Sequence, residues 1–126
     1  MKSLLSKSYH DYKISVRLFL DYERKEDDDY SIALYLMQQS IEKCLKVYLR
    51  YKGVSYPKTH DVRTLRMLAE YNGLPNYQAI ITYETEINLW EAATRYIFYE
   101  LENKDVYYAV LCDYCSMYAY VSKLIN

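Results

Sequence analysis

Apolar side chains recur along most of the chain in alternating steps of three and four, the spacing that places them on one face of an α-helix. Leu5, Tyr9, Tyr12, Val16 and Phe19 set the first such seam and predict a helix from about Ser3 to Arg24. The acidic run Glu26, Asp27, Asp28 and Asp29 interrupts it, where negative side chains favour the positive end of a following helix. The second predicted helix runs from about Asp29 to Lys52 and stops at Gly53, with Pro57 soon after. Its polar positions Gln39, Glu42, Lys43, Lys46 and Arg50 gather into one narrow stripe, while Leu34, Met37, Ile41, Cys44, Leu45 and Tyr48 cover the remaining circumference. A helix with so narrow a wet strip packs against neighbours on most of its sides, as an inner member of a bundle or oligomer does.

The third predicted helix is short, about Asp61 to Tyr71, with Thr59, His60 and Asp61 available to cap it and Asn72 and Gly73 to end it. After Pro75 the positions Ile80, Tyr83, Ile87, Trp90, Thr94, Ile97 and Leu101 predict one long fourth helix. The last helix is expected from Asn103, its cap, to about Ile125. Between Asp105 and Lys123 its one charged residue is Asp113, and tyrosines fill the faces that are normally polar. A membrane span needs roughly 20 apolar residues, so this stretch is expected to be a buried helix, partly in a subunit interface. The fold class predicted is all-α: an up-and-down bundle of four long helices plus an additional short one, five helices in a single domain over residues 1–126.

Composition agrees. Two glycines and two prolines leave few turns, which favours a few long helices over many strands. A net charge of -1 gives no overall basic field for nucleic acid or an anionic membrane, so any such contact must be local. The 18 tyrosines each bring a large ring and a hydroxyl that needs a partner. The N-terminal stretch lacks the apolar core and cleavage site of a secretory signal, which predicts a cytoplasmic location. Cys44, Cys112 and Cys115 are an odd set and are expected to be free, buried thiols.

Several chemistries fail on residue count. Neither His10 nor His60 has a glutamate three residues before it, which removes the helical di-metal carboxylate site. There is no Walker A loop, GxGxxG or GxSxG. What is left is polar residues on apolar-looking helices. Asp113 needs a donor, and Arg95, four residues after Glu91, is the natural one in a structural Glu91, Arg95, Asp113 network. The sharper alternative leaves Arg95 on the floor of a wet cleft with Gln39, Lys43 and His60, facing a phosphate or base.

Three segments in fixed order, QQSIEKCLKVYL (Gln38 to Leu49), KTHDV (Lys58 to Val62) and EAATRYIFYE (Glu91 to Glu100), together resemble the HEPN domain family. Family members have a second helix like AQQAxEKALKALL, a loop carrying THDL, and a penultimate helix with an Arg-Tyr motif. The matching residues here are Gln38, Gln39, Glu42, Lys43 and Lys46; Thr59, His60, Asp61 and Val62; Arg95 and Tyr96. The resemblance implies a five-helix bundle that dimerises, found in prokaryotes and often paired with a separately encoded minimal nucleotidyltransferase. One branch consists of metal-independent ribonucleases with a histidine four to six residues after the motif arginine. Here the positions from Tyr99 to Glu102 hold no histidine, so that site is absent as written.

The reading that follows is a non-catalytic HEPN protein without metal or cofactor. It is a homodimer that binds a nucleotide or nucleic-acid end through Gln39, Lys43, His60, Arg95 and Tyr96, and serves a minimal nucleotidyltransferase in a toxin–antitoxin-like module. One rival is a divergent ribonuclease toxin that brings Arg95 and His60 together in space. Another is a pure interaction protein that docks a partner on its tyrosine-rich last helix.

Overall fold

Burial follows the predicted seam of the first helix only in part: Leu5 and Phe19 are buried, Tyr12 and Val16 half-buried and Tyr9 exposed, and two serines take the inner places between them. Leu5, Ser8, Ser15 and Phe19 form the buried side of α1 (Lys2–Arg24), and thirteen residues are buried along α2 (Ser31–Tyr51). The computed structural model describes residues 1–24, 30–93 and 104–126. Within them α3 spans Val62–Tyr71, α4 Gln78–Thr82, α5 Glu84–Glu91 and α6 Lys104–Ile125, and no strand occurs among the described residues. The protein is all-α, a helical bundle in which α2 packs on α1, α3, α5 and α6. The central place expected for the second helix is therefore what the structure shows. Its stripe is drier than expected, because Glu42 is only 4% exposed and the segment leading into α3 covers that side.

The helix ends obey local chemistry. Gly53 and Gly73 take positive φ values of 70° and 101° after α2 and α3, where a side chain would be strained. Asp61 caps α3, its carboxylate accepting from the Arg63 amide at 3.0 Å and the Thr64 hydroxyl at 2.9 Å. The single long helix expected after Pro75 is instead two, because Tyr83 turns off the helical path at φ −106° and ψ 20°. The break is slight: Tyr83 N–H reaches Ala79 O and Ile87 N–H reaches Tyr83 O, each at 2.9 Å. The described residues thus hold six helices, five of them of eight residues or more and α4 a five-residue piece, in keeping with the five-helix bundle expected. Residues 26–29, Thr94, Ile97, Leu101 and Asn103, which figured in the predicted elements, lie outside the described residues, as does Arg95 of the expected network. Among the described residues Asp113 accepts from the backbone, at Ala79 N (2.7 Å) and Ile80 N (3.3 Å), where it neutralises free amides of the five-residue α4.

The interior joining α1, α2 and α6 is tied by two copies of one polar unit, seven residues apart on every helix. Ser8 Oγ donates to Ser40 O at 2.7 Å and accepts from the Tyr114 hydroxyl at 2.7 Å. Ser15 Oγ donates to Ala33 O at 2.6 Å and accepts from the Tyr107 hydroxyl at 2.8 Å. The serine has one proton and gives it to the carbonyl, so the phenol must be the donor to the serine. Burial pushes both phenols far above their ordinary range and keeps that proton in place. Around them Phe19 stacks on Tyr107 with ring centres 3.8 Å apart, and Tyr12 on Tyr114 at 5.1 Å. Two cysteines depart from expectation: Cys44 is buried, whereas Cys112 and Cys115 lie exposed. The last helix is likewise only half-buried. Tyr107, Val110, Tyr114, Met117 and Val121 face inward, and a residue two positions from Val110 or Tyr114 faces out.

Candidate functional site

A different polar cluster lies where α2 meets the segment before α3. Gln38, Glu42 and Lys46 follow one another at steps of four, so they stand on one row of α2. Glu42 Oε1 accepts from Gln38 Nε2 at 3.0 Å and from His60 Nδ1 at 3.0 Å, and Oε2 accepts from Lys46 Nζ at 3.0 Å. Burial works to raise the Glu42 pKa, but the donors from Gln38, Lys46 and His60 outweigh it and hold the carboxyl below its ordinary range. The carboxylate is therefore ionised at neutral pH. Facing such an acceptor, His60 is assigned its proton on Nδ1, which leaves Nε2 at the opposite edge of the ring. The His60 side chain is 64% exposed while the carboxylate that holds it is 5% exposed.

The backbone at His60 is fixed independently. Gln38 Nε2 also reaches His60 O at 3.2 Å, and Asp61 N–H donates to Thr59 Oγ1 at 3.0 Å. From α5, Asn88 clamps the start of α3 twice, its Oδ1 accepting from Val62 N at 2.9 Å and its Nδ2 donating to Asp61 Oδ1 at 2.8 Å. Burial would raise the Asp61 carboxyl, yet the donors from Thr64, Asn88 and the α3 amides keep it below the usual range. Thr59, His60, Asp61, Asn88 and Glu91 line an open depression of about 320 Å³. Asp61 on its wall is already held by Arg63 N, Thr64 and Asn88, so the exposed His60 ring is the group turned toward the opening. The arrangement suits a neutral donor or acceptor group, such as a nucleobase edge or a ribose hydroxyl, meeting the imidazole.

The structure joins some of the residues expected to form the site and separates others. His60 is at its centre. Gln39 is one step removed, donating from Nε2 to Gln38 Oε1 at 2.7 Å. Lys43 points elsewhere and is ion-paired with Asp11 of α1. Arg95 and Tyr96 lie outside the described residues. Glu42 was placed in the polar stripe and in the family-like segment but not among the binding residues, although its step of four from Gln38 and from Lys46 was a readable signal of one hydrogen-bonded row. Asn88 had no such signal, since its partners stand 26 and 27 residues earlier in the chain. Among the described residues no group of three or more histidines, cysteines and carboxylates is placed to hold a metal ion, and no helix is long and apolar enough to cross a membrane.

Residues 2–115, nine-tenths of the chain, match the family model of the HEPN domain. No curated protein and no solved structure matches the chain.

Proposed function

The chain belongs to the HEPN domain family, and from that membership we propose that it is a non-catalytic, homodimeric HEPN module that binds a nucleotide or a nucleic-acid end. In this reading it serves a separately encoded minimal nucleotidyltransferase in a prokaryotic, cytoplasmic, toxin–antitoxin-like pair. The observation that carries the binding role is the imidazole of His60, open to solvent yet fixed from behind by the buried, ionised Glu42. A side chain so held meets a ligand with little loss of rotamer freedom. In this reading His60 contacts base or ribose, while Arg95 and Tyr96 of the family motif supply the phosphate contact. Calorimetric titration with ATP, GTP and a short RNA tests this. Binding that is lost in both His60→Ala and Arg95→Ala is expected; a wild type that binds none of the three would sink the proposal.

One observation favours a second reading. A carboxylate behind Nδ1 and an Nε2 without a partner among the described residues is also the arrangement of a general base, which a ribonuclease needs to take the 2′-hydroxyl proton. The two readings separate in one assay. RNA cleavage that persists in a chelator and disappears in His60→Ala selects the enzyme, and intact RNA with measurable binding selects the non-catalytic module.

A further inference from the structure

The three cysteines fall into two kinds. Cys44 is fully buried on α2, and burial pushes its thiol far above the ordinary range, so it stays protonated and out of reach. Cys112 and Cys115 are both exposed on α6. Three residues apart on a helix, they stand on one face with Cα atoms about 5 Å apart. Side chains on a helix tilt toward its start, so Cys115 leans over the turn that carries Cys112. On the α1 side the Cys115 thiol donates to the Tyr12 hydroxyl at 3.3 Å.

Two reactions are open to such a pair. A disulfide needs Cβ atoms about 3.5–4.5 Å apart, whereas residues three apart on a helix hold them at about 5–6 Å. An S–S bond would therefore distort α6 at the turn where Asp113 holds the α4 amides and Tyr114 bonds Ser8. An ion lying between the two sulfurs spans the gap with the helix intact. The donor set then selects the ion. Structural zinc takes four ligands and an iron–sulfur cluster four thiolates, but among the described residues no group of three histidines, cysteines and carboxylates is placed to hold an ion. Hard cations prefer oxygen. Cu(I) is soft, prefers thiolate sulfur and is satisfied by two such donors in line.

We propose that Cys112 and Cys115 chelate one Cu(I) ion per chain, a site independent of the nucleotide reading above. Binding breaks two S–H bonds and forms two Cu–S bonds: Cu⁺ and two thiols give a bis-thiolate anion, two protons pass to solvent, and no atom changes oxidation state. The hydrogen bond to Tyr12 then reverses. The phenol keeps its own proton and donates it to the bound Cys115 sulfur, the kind of outer contact that orients a metal ligand. Tyr12 is thus a positioning residue, and the two thiolates are the ligands.

The test supplies Cu(I) under argon as its bicinchoninate complex and reads transfer to the protein from the loss of the complex's visible absorbance. One equivalent per chain is expected. Cys112→Ser and Cys115→Ser should each weaken uptake by at least about a hundredfold, because a second tethered donor is what multiplies the affinity of the first. Tyr12→Phe should weaken it by about tenfold with the stoichiometry unchanged. The two cysteines are exposed, so serine keeps the fold, and circular dichroism checks each variant. Four outcomes overturn the proposal. A wild type that leaves Cu(I) with the chelator has no site, and serine variants that bind like the wild type put the ion elsewhere. Two equivalents falling to one, with unchanged affinity, make the thiols independent. One ion per two chains makes it a bridge between copies.

Discussion

Two polar clusters of this bundle sit on opposite sides of α2 and are built on opposite rules. Between α1, α2 and α6 every serine and tyrosine hydroxyl of the repeated unit is enclosed, and each donor finds its acceptor inside the protein. Beside α3 the row Gln38, Glu42 and Lys46 is satisfied just as fully, yet it ends in His60, whose ring stands in solvent. A closed network fixes register and nothing more, since no group is left to meet a ligand. A network closed at every member but one aims that last member, which is how a site is held ready.

The largest way to break the contrast is to remove a ring from the closed side. Tyr107 is fully buried, stacked on Phe19 and bonded to Ser15. Tyr107→Ala leaves a cavity and is expected to cost about 3–5 kcal/mol of stability, measured by denaturant unfolding. Nucleotide binding measured well below the unfolding transition should be unchanged, because no part of the His60 cluster touches this ring. Loss of binding in a folded Tyr107→Ala protein would show that the two sides are one coupled network.

Next in size is Glu42→Ala on the open side, which strips the acceptor from Gln38, Lys46 and His60 together. The expected cost is about 1–3 kcal/mol, smaller than for the ring because Lys46 and His60 both retain access to water. This variant should also weaken ligand binding, since His60 loses the contact that orients it. The sign of the pH effect follows from the depressed Glu42 pKa. Its contribution to stability is complete above the ordinary value of 4.5 and is lost as pH falls through the lower folded value. Acid unfolding of the wild type should therefore steepen below about pH 4.5, and Glu42→Gln should remove part of that dependence while Asp61, shifted the same way, supplies the rest.

How far each side was legible in the sequence differs for a physical reason. Helical seams depend on local spacing, and the ends at Gly53, Asp61 and Gly73 depend on residue type at one position, so α1, α2 and α3 were readable within a residue or two. The break at Tyr83 was not, because the three-and-four pattern runs straight through it and no glycine or proline marks it. Asp113 announced itself as a charge on an apolar helix, but its partners are backbone amides of another helix, which carry no letter in the sequence. The same limit hid the serine–tyrosine unit: half its bonds end on carbonyls. His60 was found through the Thr-His-Asp motif, whereas Asn88 was invisible because only the folded chain brings α5 to the start of α3.

A finer cut on the closed side is Tyr107→Phe, which keeps the ring and removes only the phenol proton. Ser15 still donates to Ala33 O, so no buried donor is stranded, and the expected loss is about 1 kcal/mol. Because the two units lie seven residues apart, about 10 Å along each helix, Tyr107→Phe and Tyr114→Phe should add to about 2 kcal/mol in the double variant. Urea midpoints of the two single variants and the double check this, and a clear departure from additivity would mean the units are not independent.

The smallest expected change in stability is His60→Ala, and it sharpens the contrast most. Glu42 keeps Gln38 and Lys46 as donors, the backbone carbonyl at position 60 keeps Gln38, and the ring removed was already mostly in water. Unfolding should shift by no more than about 0.5 kcal/mol. If calorimetry on the same preparation then shows nucleotide binding gone, stability and function have been separated at one residue, as an aimed but otherwise dispensable side chain requires. A variant that loses stability by as much as Glu42→Ala while binding is retained would instead make His60 the closing member of a structural network, of the same kind as the serines on the other side of α2.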